Sequence, residues 1–111
     1  RNFRFRQDEV QLPNGRITTR DIVEHPGSVG IIPITGEGEI LLVEQYRYAV
    51  GRTLMEIPAG TLEEGETMEE CVYRELKEET GYEASVIEKI VSCYTTPGYS
   101  SEKIQIYWQR I

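Results

Sequence analysis

The sequence predicts an α+β domain, a mixed β-sheet packed on one amphipathic helix. Three observations carry that prediction. Residues 60–82 hold the segment with sustained helical periodicity. Short apolar or alternating runs lie on both sides of it, separated by turn signals such as Leu12-Pro13-Asn14-Gly15 and Thr96-Pro97-Gly98-Tyr99. The 111 residues suffice for one compact domain. Strands, one helix and strands again, in that order, favour α+β architecture.

Asn2 to Leu12 alternates in part, with Phe3 and Phe5 on one face, and predicts a strand. The Pro-Asn-Gly turn returns it as Arg16 to Glu24, so residues 1–26 form an expected β-hairpin. His25-Pro26-Gly27 breaks it. His25 is the only histidine; beside a turn such a residue serves structure more often than catalysis. Ser28 to Ile34 is a short apolar run expected as a buried strand, with Pro33 marking an edge or bulge. Ile40 to Val43 is expected as a second buried run that continues into Glu44 to Tyr48. Thr53 to Ile57 is a short strand, and Pro58-Ala59-Gly60 bends the chain toward the helix. Ser85 to Tyr94 is a less regular strand. Ile104, Ile106 and Trp108 alternate with polar or amphipathic neighbours, as on a half-buried strand.

The helix carries the chemistry. At about 100° per residue, Met68, Val72 and Leu76 form an apolar stripe with Cys71 on its flank. Glu75 and Glu79 fall inside that stripe and stack one turn apart. Glu78 and Arg74 lie to one side. Two carboxylates facing a core do not both stay ionised without a cation. Arg74 is one candidate cation and a bound metal is another; carboxylate oxygens at this spacing suit a hard divalent ion such as Mg²⁺. Glu66 is the expected first residue of the helix and Gly81 its end.

The formal net charge is −7, which argues against a nucleic-acid partner. No apolar run reaches membrane-spanning length. No signal-peptide pattern is visible; the sequence starts at Arg1 and not at Met, as a trimmed N-terminus would. Cys71 and Cys93 fit neither a zinc spacing nor a disulfide framework. They are expected as buried free thiols in a reducing cytoplasm.

An acidic helix alone is usually a solvated face. The full pattern is more specific: Gly60, five residues, Glu66, seven residues, Arg74-Glu75-Leu76, one residue, Glu78-Glu79, one residue, Gly81. Chance produces it on the order of once in 10⁸ positions, which sets the solvated reading aside. The pattern resembles the signature of the Nudix hydrolases at every fixed position. Tyr82, where an aliphatic residue is more usual, departs from it in packing and not in chemistry. The resemblance implies an α/β/α sandwich with a mixed sheet, a core over 27–111, and the hairpin as a separate arm. Family members carry a further strand and a C-terminal helix after the region around Trp108. The core is therefore expected to be incomplete at its C-terminal end, with one face of the sheet left open.

Nudix enzymes cleave nucleoside diphosphates linked to another moiety, with Mg²⁺ or Mn²⁺. Matched position by position, the resemblance implies Glu75, Glu78 and Glu79 as metal ligands, together with the backbone carbonyl of Ala59. Glu78 is alternatively a base in the metal shell. Arg74 orients the carboxylates by pairing with Glu66, and Gly60, Glu66 and Gly81 shape the motif. Glu63, Glu64, Glu69 and Glu70 are expected in solvent.

Three more stretches, Arg20 to Gly27, Glu44 to Gly60 and Thr95 to Lys103, resemble the ADP-ribose pyrophosphatase branch, including Pro97 sixteen residues beyond Gly81. The implied reaction is ADP-ribose to AMP and ribose 5-phosphate. Arg47 is a planar cation suited to phosphate or ribose, or else an ion-pair partner of Glu44 or Glu56. Glu56 suits adenine amino or ribose hydroxyl groups. Ser100, Ser101 and Glu102 are candidates for the terminal ribose. Pro97 belongs to the substrate region or simply shapes a turn. Phe3, Phe5 and Tyr46 are candidates for stacking on adenine. In this branch the base is usually a glutamate further downstream; no residue here corresponds to it, so either Glu78 supplies the base or the activity of this chain is impaired. A homodimer is implied, the hairpin reaching across to its partner. The alternatives are another nucleoside diphosphate derivative (a nucleotide sugar, NADH or a flavin dinucleotide) and a non-catalytic ADP-ribose-binding module. Intact Glu75, Glu78 and Glu79 argue against the last.

Overall fold

The computed structural model describes residues 3–83 and 85–111; Arg1 and Asn2, where the hairpin and its first strand were expected to start, lie outside them. Strand β1 (Arg4–Gln11) pairs antiparallel with β2 (Ile17–Glu24), from Gln11 beside Ile17 to Arg4 beside Glu24. The turn closes as its Pro-Asn-Gly chemistry requires. Gly15 takes φ 86°, and its N–H donates to the Leu12 carbonyl at 2.8 Å. Strand β3 (Ser28–Ile34) follows, then a second hairpin, β4 (Val43–Arg47) with β5 (Arg52–Glu56). A three-residue strand, β6 (Ala59–Thr61), leads to helix α1 (Met68–Thr80). Strands β7 (Val86–Tyr94) and β8 (Lys103–Arg110) complete the chain.

The main sheet has the order β6-β3-β8-β7. β3 runs parallel to β8 and antiparallel to β6, and β7 is antiparallel to β8, so the sheet is mixed as expected. Helix α1 lies on one face. Val29, Ile31 and Tyr107 from the sheet meet Cys71, Val72 and Leu76 from the helix, each at most 4% exposed. Each such side chain contributes about 1.5–3 kcal/mol by leaving water. The opposite face is open among the described residues, where Ile32, Ile34, Ile90 and Trp108 line an apolar hollow. One helix covers one face, as predicted.

Five local expectations need correction or refinement. Ile40 to Val43 is not a buried strand: β4 begins at Val43, and Ile40 and Leu42 are exposed. After a single bridge from Ile40 to Ile34 the chain leaves for the β4–β5 hairpin, a sheet of its own that adds nothing to the core. The helix starts at Met68, not Glu66. Thr67 is its N-cap, the hydroxyl accepting from Glu70 N–H at 3.1 Å, which frees Glu66 for a different task. Cys71 is buried, but Cys93 is exposed, because β7 is an edge strand. On β8 the buried side chains are Tyr107 and Gln109, which alternate with the half-buried Ile104, Ile106 and Trp108. Pro33 sits in a central strand, yet beyond the end of β6, which pairs only with Ser28 to Gly30; the edge it marks is local.

Candidate active site

The site begins with a missing side chain. Gly60, in β6, lies directly over Glu75 of α1. A Cβ there would overlap the Glu75 side chain, so only glycine lets the strand and the helix approach this closely. Glu75 is 9% exposed, a carboxylate within the apolar stripe, as its phase on the helix dictates. Gly81 ends the helix at φ 80°, donating its N–H to the Lys77 carbonyl at 2.9 Å.

Arg74 organises the carboxylates. Its Nε donates to Glu66 at 2.6 Å and its Nη2 to the other Glu66 oxygen at 3.0 Å, a fork-to-fork pair. Nη1 donates to Glu75 at 2.7 Å and to Glu78 at 3.2 Å, and Nη2 also reaches the Thr61 carbonyl at 3.2 Å. The pairing foreseen between Arg74 and Glu66 is present. The guanidinium holds the Glu66 carboxyl down to about 2, while Glu66, then Glu75, raise the pKa of Arg74. Burial pushes the Cys71 thiol up to about 12, which makes it a packing residue and not a nucleophile.

Glu79 lies one turn beyond Glu75. Burial, then the neighbouring Glu75 charge, raise its pKa. A carboxyl whose pKa is raised by burial and then by a second carboxylate is short of positive charge. Among the described residues no three acidic, histidine or cysteine groups already converge as a metal cage. The donors at hand are all hard oxygens: Glu75, Glu79 and the Ala59 backbone beside them in the cleft. That set, with the Gly60 gap that admits Glu75, fits a hard divalent cation. Glu78, its side chain 59% exposed, stands on the flank.

Glu75, Glu79 and Ala59 line a cleft of about 620 Å³, the size of a small-ligand site. The cleft brings together Arg47, Ala59, Gly60, Arg74, Glu75, Glu79 and Glu102. It leaves Glu56, Glu78, Pro97, Ser100 and Ser101 off its lining. Glu56 instead grips Arg47 from behind, accepting from Nε at 2.8 Å and from Nη2 at 2.6 Å. This bond raises the pKa of Arg47 and lowers that of Glu56. Ser100 Oγ accepts from Glu102 N–H at 3.1 Å, and Ser101 Oγ from His25 N–H at 3.0 Å; both shape the turn. Of the aromatic candidates Phe3 lines the cleft, its ring 4.7 Å from that of His25. His25, Ser28 and Gln45 also line it and were not foreseen as site residues. His25 lies inside the stretch Arg20 to Gly27 and Gln45 inside Glu44 to Gly60, both of which the ADP-ribose resemblance singled out, and that was the available signal; Ser28 falls outside them.

The fold and this carboxylate–arginine array define a known class. The NUDIX domain pattern matches residues 24–110, and the chain belongs to the Nudix family. It is 47% identical over 100 residues to an ADP-ribose pyrophosphatase of Bacillus subtilis (strain 168), covering 90% of this chain and 54% of that one. A methanol dehydrogenase activator of Bacillus methanolicus is 47% identical over 107 residues, covering 96% and 58%. An ADP-ribose pyrophosphatase of Mycobacterium tuberculosis (strain ATCC 25618 / H37Rv) is 43% identical over 106 residues, covering 95% and 51%. A crystal structure of an ADP compounds hydrolase superposes with a TM-score of 0.87 at 24% identity, covering 99% of this chain and 60% of that one, which shows the shared fold. The chain spans about half the length of the curated relatives it matches. No helix among the described residues is long and apolar enough to cross a membrane.

Proposed function

We propose that this chain supports metal-dependent hydrolysis of the pyrophosphate bond of ADP-ribose, giving AMP and ribose 5-phosphate. The observation that carries the reading is that Glu75, Glu79, Arg47 and Glu102 line one and the same cleft. Mg²⁺, or Mn²⁺ in its place, would neutralise phosphate oxygens and lower the pKa of a water when held by Glu75, Glu79 and the Ala59 carbonyl. Arg74 keeps Glu75 aimed through its 2.7 Å bond to Oε1. Arg47, braced by Glu56, offers a planar cation to the diphosphate. Glu102 accepts from hydroxyls of the terminal ribose. Water forms one new bond to phosphorus, the bridging P–O bond breaks, and Glu78 takes the water's proton.

The exposed apolar residues of the hairpin, Phe5 at 80% and Ile17 at 57%, support a homodimer in which the hairpin is the arm. We place the protein in the cytoplasm, where the two unpaired thiols persist. A substrate panel tests the central reading: ADP-ribose should give the highest kcat/KM. A clear preference for a nucleotide sugar, NADH or a flavin dinucleotide rejects it, and binding of ADP-ribose without turnover points to a sensor module.

A further inference from the structure

Glu102 is held in a way that the reading above does not require. The parallel register of β3 and β8 sets Ser28 beside Ile104 and so brings Ser28 next to Glu102. Ser28 Oγ donates to Glu102 Oε2 at 2.7 Å, and Thr95 Oγ1 donates to Oε1 at 3.1 Å. Ser28 is 5% exposed, so little water competes for that bond. A carboxylate accepts in about four directions. The two hydroxyls use two of them, and the others are left for the cleft that Glu102 lines.

His25 approaches the same oxygen at a distance longer than a direct hydrogen bond. Its side chain is 7% exposed, with Nε2 3.8 Å from Glu102 Oε2. Gly27 N–H donates to His25 Nδ1 at 2.9 Å. A ring nitrogen that accepts a hydrogen bond carries no proton. When the ring is neutral its proton therefore sits on Nε2, the ring nitrogen 3.8 Å from Glu102 Oε2. His25 N–H on Ser101 Oγ and the ring on Phe3 fix the orientation.

We infer that Ser28 and His25 are positioning residues that lock the Glu102 carboxylate, so that its unused acceptor directions meet the hydroxyl-bearing end of the substrate. This inference rests on the substrate role given to Glu102 under the proposed function. One readout needs no turnover. His25 is the sole histidine, so ¹⁵N-labelled imidazole gives one pair of ring-nitrogen signals. With the ring neutral, the Nε2-protonated tautomer is expected; the Nδ1-protonated tautomer, or an equal mixture, overturns the role of His25. The second readout is ADP-ribose kinetics with Mg²⁺. Ser28→Ala should raise KM about tenfold, the effect of losing one bond to a charged group, with kcat lowered less than about threefold. His25→Asn keeps an acceptor for Gly27 but no donor toward Glu102 and should act in the same direction. His25→Gln should return KM to within about threefold of the parent. Folded variants with the parent's KM overturn the inference. The parent's own turnover tests the functional reading and the variant-to-parent ratio tests this one; a parent that neither binds nor hydrolyses ADP-ribose overturns both.

Discussion

Gly60→Ala is expected to disable the site while leaving the fold recognisable. The added Cβ would overlap Cγ, Cδ and Oε1 of Glu75, far inside the roughly 3.5–4 Å at which carbon atoms pack. Glu75 cannot absorb this in place. It is 9% exposed, and Arg74 holds its Oε1 at 2.7 Å. One outcome is that β6 moves away from α1, an overpacking cost of about 1–3 kcal/mol. The other is that Glu75 swings out, forfeiting its bond to Arg74, worth about 1.5–3 kcal/mol. Both routes come to about 2 kcal/mol, a drop in Tm of roughly 5–15 °C for a domain of this size. Both also move the carboxylate by about an ångström or more, for which a loss on the order of 10²-fold in turnover is expected. Calorimetric melting and steady-state hydrolysis of ADP-ribose read the two effects. A variant with the parent's Tm and activity within about twofold would refute the close approach of strand and helix.

Further predictions follow from other contacts. Glu66 stays ionised in the folded chain down to about 2, below the ordinary carboxyl range near 4.5. Between those values the unfolded chain binds the extra proton, so stability falls as pH drops through that window. Glu66→Gln should flatten this part of an acid-denaturation profile, and an unchanged profile would count against the Arg74–Glu66 pair. Gln109 is fully buried, with neither side-chain polar atom hydrogen-bonded among the described residues. Gln109→Met should stabilise the chain by about 1–3 kcal/mol in urea unfolding, and a loss of stability would show a hidden partner. Glu56→Gln removes one ionic acceptor behind Arg47 and should raise KM for ADP-ribose about tenfold with little change in kcat, as a brace would and a reacting group would not.

Much of the frame was legible because its causes are local. The Pro-Asn-Gly turn, the apolar run of β3 and the 3.6-residue phase of Glu75 need only neighbours in sequence. Helix phase placed Glu75 in the core, and the same phase put Arg74 beside it. What failed was set by distant partners. Ile40 and Leu42 look like core residues, but no described layer packs on the hairpin they lead into. Glu66 looks like the first residue of a helix; it lies just outside because Thr67 caps the helix, and its carboxylate pairs with Arg74, eight residues on. Gln109 is buried by its register beside Pro33, a pairing across more than seventy residues. The clamp on Glu102 was hidden for the same reason. Ser28 meets it through the parallel β3–β8 ladder and His25 through the parallel bridge of Val23 to Ser100, and no local pattern announces a parallel pairing.

AMP release from ADP-ribose with Mg²⁺, by this chain and by its Glu79→Gln variant, tests the central claim most directly. The account predicts turnover in the parent and a loss on the order of 10²-fold or more in the folded variant, because the charge that holds the cation resides on the signature helix. Equal turnover in both would contradict it, and so would a parent that neither hydrolyses nor binds ADP-ribose in a calorimetric titration.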